Sequence, residues 1–156
     1  TIGRWHALLQ AGKMVTLDEL VDFLRDNGVT LTELSRRDSF SVSKQWTSVF
    51  ASSDQESELR GVKAINAWLE ADEEDLLLLL LSERIAAFPI SQNNRPCAAF
   101  RYAGPAIDLS LFHELEFAVF PTSYRWTVVH THEDFAFGGP YFLRRLDRGP
   151  EQTRRN

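Results

Sequence analysis

The chain has 156 residues, 44% of them apolar and 25% charged, and a formal charge of −5. Eleven Phe, four Trp and three Tyr supply bulky core material, which excludes a disordered chain and fits one domain with one core. The longest unbroken Leu run is six residues, residues 76–81, far short of the roughly twenty that a membrane-crossing helix needs.

The charge is uneven. Residues 143–156 hold five Arg against Asp147 and Glu151, a local +3, which leaves −8 for the rest. An acidic body repels phosphate backbones, so general nucleic-acid binding is disfavoured. The tail, residues 147–156, reads as a frayed terminus. Cys97 is the single cysteine, so these residues form no disulfide among themselves, and a cytoplasmic protein is expected. No basic, apolar, then small-residue leader pattern opens the chain. Met14 is the sole methionine, just ahead of a well-marked helix. Residues 1–13 are therefore either an upstream extension or a short amphipathic helix built on Trp5, Leu8 and Leu9, with residues 14–146 as the domain.

In chain order, Thr16-Leu17-Asp18-Glu19 has the form of a capping box. Leu17, Leu20, Val21 and Leu24 then make one apolar helix face, with Asn27-Gly28 as the stop. Residues 29–34 alternate with Thr as a short strand does. Val42, Trp46, Val49 and Phe50 fall at helical spacing, with Ser41 as the cap. Residues 52–60 are polar and read as a loop or solvated helical turn. Val62, Ile65, Trp68 and Leu69 define another amphipathic helix after Gly61. The Leu run fits a helix by propensity or a strand buried on both faces by its sharp polar bounds. A strand is expected, because the following segments read as strands and need a partner.

Residues 85–90 form a further apolar stretch, residues 91–96 a turn, and residues 97–102 a strand closed by Gly104-Pro105. A helical turn is predicted over residues 107–112. Leu115, Phe117 and Val119 alternate, as do Trp126, Val128 and His130, and residues 121–125 join them into a predicted antiparallel hairpin. Helices first and strands afterwards predict an α+β domain, its N-terminal helices packed on one face of a largely antiparallel sheet.

The motifs of common enzymes are missing: no phosphate-binding glycine loop, no Gly-x-Ser-x-Gly elbow, no Cys-x-x-Cys and no His-Glu-x-x-His. No cofactor is expected, and a non-enzymatic role is favoured. Polar chemistry concentrates in residues 126–134, ahead of Gly138-Gly139-Pro140-Tyr141-Phe142. On an extended strand His130 and His132 share a face and Glu133 points the other way. Such a pair binds zinc or iron if His113, Glu116 or Asp134 completes the set. An adjacent imidazole and carboxylate, His132 and Glu133, do acid/base work only if a turn brings them together. The simpler reading is that they fix the turn by hydrogen bonding. Cys97 opens an apolar stretch and reads as a buried structural thiol rather than a nucleophile. Glu70, Asp72, Glu73, Glu74 and Asp75 form the densest charge run, a solvated face or a docking patch for a basic partner.

Trp126-Thr127, Thr131-His132-Glu133 and Gly139-Pro140-Tyr141-Phe142 resemble the C-terminal signature of a bacterial family of small cytosolic proteins of unknown function. Trp46 and Phe50 resemble a Trp-x-x-x-Phe helix in the same family. This chain carries a longer linker, residues 134–138, and His130 lies outside the signature. The resemblance supplies no activity. It implies company among bacterial toxin-neutralising genes, and hence an intracellular protein that binds a basic toxin or other protein.

Overall fold

The computed structural model describes residues 16–50, 55–81, 98–134 and 138–145, with backbone alone at residues 55–57. The expectations for residues 1–13 and Met14, for residues 85–96, for Cys97 and for the tail all lie outside the described residues.

Helix α1, Leu17–Asp26, opens where Thr16 accepts a hydrogen bond from the Glu19 amide at 3.2 Å. The Thr16 hydroxyl donates to the Glu19 carboxylate, so that carboxylate braces the cap side chain. At its other end Gly28 takes φ +83°, and the Val29 amide turns back to the Leu24 carbonyl at 2.8 Å, closing the helix. Strand β1, Thr30–Glu33, follows.

Helix α2, Arg36–Phe50, begins well before the expected Ser41. Ser35 is the cap, its hydroxyl accepting from the Asp38 amide at 3.1 Å. The first turns carry no apolar period because they are mostly exposed, which is why spacing alone placed the start too late. Ser39 is the buried exception: its hydroxyl accepts from the Ala99 amide at 3.1 Å and pins the helix to the sheet.

Residues 55–60 correct the loop expectation. They form strand β2, Gln55–Arg60, paired antiparallel with a late strand. An edge strand is satisfied by hydrogen bonds on one side and needs little apolar content, so its polar sequence hid it. Helix α3, Val62–Leu69, follows directly. Its inward residues are Ala64 and Trp68, whereas Val62 and Leu69 are 71% and 42% exposed, so its buried face is rotated from the expected one.

The Leu run forms strand β3, Leu76–Leu80, and every residue of it is buried. Strand β4, Ala99–Ala103, is followed by a 3-10 helix, Ser110–Leu115, three residues later than the predicted turn. Strands β5, Phe117–Pro121, and β6, Trp126–His130, make the expected hairpin, with Phe117 opposite His130 and Val119 opposite Val128. Strand β7, Tyr141–Arg145, completes a sheet that among the described residues has seven strands, ordered β1-β4-β3-β5-β6-β7-β2. All its pairings are antiparallel, and the chain has an α+β fold.

The helices divide between the two faces rather than sharing one. On the first face α1, α3 and the 3-10 helix bury Leu20, Leu24, Trp68 and Phe112 against Leu76, Leu78, Leu80, Phe117 and Val128. On the second, Phe50, Val42, Trp46 and Val49 of α2 lie against Leu77, Leu79, Ala118 and Phe120. A strand covered on both sides must be apolar at every position, which accounts for the Leu run. Among the described residues no helix is long and apolar enough to cross a membrane.

Candidate functional site

Two regions carry the residues singled out above. The first is the turn after β6. Strand geometry ends at His130, so His130 and His132 do not share a strand face. The His130 side chain is 1% exposed and stacks on Phe117, ring centroids 4.9 Å apart. The His132 ring is partly exposed and lies between two carboxylates, its Nδ1 against Glu116 and its Nε2 3.6 Å from Glu133. The turn thus does bring His132 and Glu133 together, at the surface. Among the described residues no three His, Cys, Asp or Glu side chains are grouped to hold a metal ion.

Asp134 organises this turn. Its Oδ1 accepts from the Thr131 amide at 3.1 Å and from the Thr131 hydroxyl at 3.0 Å, while the Asp134 amide donates to the Thr131 carbonyl. The Thr131 hydroxyl also accepts from the Glu133 amide at 3.3 Å. His113 Nδ1 donates to the Thr131 carbonyl at 3.1 Å, tying the 3-10 helix to the turn. Gly139 backs directly onto the carboxylate: a Cβ there would overlap Oδ1 and lie 2.8 Å from Cγ. Only glycine permits that approach. The Gly139-Pro140 bond is cis. The Pro140 carbonyl accepts from the Gly61 amide at 2.9 Å, joining this segment to the start of α3.

Burial holds the His130 imidazole down at about 4; the Asp108 carboxylate works against that shift and His113 adds to it. Burial raises the Asp134 carboxyl, opposed by its Thr131 hydrogen bonds and by His113 and His132. His130 Nδ1 lies 3.7 Å from Asp134 Oδ2, and both His130 nitrogens and that oxygen are buried without a hydrogen-bond partner among the described residues.

The remaining motif residues fasten the sheet to its helices. Trp126 stacks on Phe142 at 5.2 Å and lies 6.0 Å from Trp68 of α3. Thr127 faces the other way, is fully buried, accepts from Trp46 Nε1 at 3.1 Å and donates to the Val119 carbonyl at 3.3 Å. Trp46 and Thr127, 81 residues apart in the sequence, are therefore in contact. Phe142 is buried, whereas Tyr141 is half-buried under the Arg60 guanidinium, 5.5 Å from its ring.

The second region is the acidic segment joining α3 to β3. Glu70, Asp72, Glu74 and Asp75 are exposed and Glu73 is half-buried. None of the five is ion-paired among the described residues. The segment is anchored at its far end, where the Thr122 amide donates to the Asp75 carbonyl at 2.9 Å. At its near end Glu70 and Ala71 line an open groove of about 540 Å³ between α3 and the sheet. Leu59, Trp126 and Phe142 supply its apolar lining, and Lys63, Asn66 and Arg144 its polar rim. Arg144 lies over the Phe142 ring at 5.2 Å. Sequence reasoning found the acids but not the groove, which is assembled from β2, α3, β6 and β7.

Fold and surface together define an α+β domain whose polar turn is mainly architectural and whose open groove adjoins an acidic segment without ion pairs among the described residues. Compared with family models, with curated proteins and with solved structures, the chain matches none.

Proposed function

We propose that the domain binds a basic protein partner through the face formed by the acidic segment and the α3 groove, and that it acts as an intracellular neutraliser of a bacterial toxin. The observation that carries the binding reading is the row of Glu70, Asp72, Glu73, Glu74 and Asp75, unpaired among the described residues, which begins at the groove with Glu70 and runs away from it along the segment to β3. Unneutralised carboxylates steer an oppositely charged partner, and an adjoining apolar hollow supplies the contact area that charge alone does not. Val62 and Leu69 of the same helix add exposed apolar surface. The toxin-neutralising role rests on the sequence resemblance and on the fit of an acidic face to a basic target.

A partner captured from the source cells and purified tests this by amide hydrogen exchange of the complex. Protection is expected across residues 62–75 and at Phe142 and Arg144. Protection confined to other surfaces would reject the assignment.

A further inference from the structure

The buried pair at the end of β6 is unused by the proposed docking face, yet it is wired to it. His130 Nδ1 and Asp134 Oδ2, 3.7 Å apart, are too far for a hydrogen bond and have no other partner among the described residues. Asp134 cannot close the gap freely. Its Oδ1 holds the Thr131 amide and hydroxyl, and its carboxylate sits against Gly139. The next residue, Pro140, accepts from the Gly61 amide at the N-terminus of α3.

We propose that His130 and Asp134 form a proton-operated latch: when buried His130 gains a proton, it draws Asp134 off Thr131 and Gly139 and loosens the start of α3. A charged imidazole in this position needs a hydrogen-bond acceptor or water. Asp134 Oδ2, 3.7 Å from Nδ1, is an acceptor that a small movement would bring within reach, and reaching it moves the group on which the turn is built. The charged and titratable groups around the latch are Asp108, ahead of the 3-10 helix, His113 and Glu116, within and just after it, and His132 and Glu133 in the turn. Phe117 from β5 and Gly139-Pro140 before β7 bring no charge. Asp108 favours the proton on His130, while His113 opposes it. The latch itself is independent of the partner; only its consequence, weaker docking in acid, rests on the docking-face reading.

The test needs no partner. The His130 ring is titrated by NMR from about pH 7 to about pH 4, alongside exchange of the Gly61 and Thr131 amides corrected for intrinsic rates. Protection at both amides is expected to fall about tenfold in step with protonation of His130, while the central-strand amide of Leu78 keeps its protection. In His130→Phe, whose ring can still stack on Phe117, the acid response of Gly61 is expected to vanish. Gly61 protection that stays constant while His130 titrates would overturn the latch, as would a wild-type acid response in His130→Phe. If that variant does not fold, the wild-type titration decides alone: co-titration supports the latch and independent behaviour rejects it.

Discussion

At the residue scale, the turn after β6 depends on one carboxylate. Asp134 supplies acceptors to the Thr131 amide and hydroxyl, so Asp134→Ala leaves a half-buried N–H without its partner. That loss is expected to cost about 1 to 3 kcal/mol in chemical denaturation, while Asp134→Asn, which keeps an oxygen acceptor, retains most of the stability. Gly139→Ala is expected to destabilise as well, since its Cβ displaces the same carboxylate. The pH dependence has a definite sign. His130 is held at about 4 in the fold against an ordinary 6.5, so the unfolded chain binds the extra proton. Its contribution is complete above about pH 6.5 and fades towards about pH 4, on the order of 3 kcal/mol in all. Asp134, raised in the fold, acts in the opposite sense: it adds stability in acid that is lost as pH rises through its folded value. Denaturation midpoints from pH 7 to 4 of the wild type and of His130→Phe separate the two, the variant being expected to lose less in acid.

At the element scale, the pieces legible in the sequence are those whose local chemistry is self-sufficient. Thr16 and Gly28 bound α1 as cap and left-handed stop, and Thr16→Ala is expected to cost about 1 kcal/mol in thermal or chemical unfolding. The β5-β6 hairpin was readable because alternation flanked a short polar connection. The Leu run was ambiguous by propensity and is a strand because both faces of the sheet are covered. Three features were not legible, for physical reasons. The outer strand β2 borrows its order from β7, and of its described side chains Leu59 packs against the core. Helix α2 begins on a hydroxyl cap and exposed turns, without an apolar period. The face of α3 is set by Trp68, whose Nε1 donates to the Ile107 carbonyl at 2.5 Å, rather than by its most apolar residues. Trp68→Ala and Trp126→Ala are each expected to cost about 3 to 5 kcal/mol, whereas half-buried Tyr141→Ala should cost less. Equal losses for Trp126→Ala and Tyr141→Ala would contradict the observed difference in burial.

At the scale of the whole molecule, the candidate site is half visible in the sequence. Five acids within six residues stand out in any sequence, but the hollow beside them is made by Leu59, Lys63, Trp126, Phe142 and Arg144, which only the sheet order brings together. His132 and Glu133, the most chemical-looking pair, sit on the surface with Glu116, and the groove is lined by neither of them. The residue that fixes their turn, Asp134, is marked in the sequence only by lying three residues after Thr131, to whose amide its carboxylate reaches back.

The proposed docking depends on the acidic face steering a basic partner onto this domain. Its most direct test is the association rate of the purified partner, measured across ionic strength. The wild type is compared with a variant carrying Glu70→Gln, Asp72→Asn, Glu73→Gln, Glu74→Gln and Asp75→Asn. Exposed charges are screened within roughly 8 Å at physiological salt. The wild-type rate should therefore fall steeply with added salt, and the variant should start slower and show a flatter dependence, with its unfolding midpoint preserved. Identical rates and identical salt slopes in the two proteins would contradict the account.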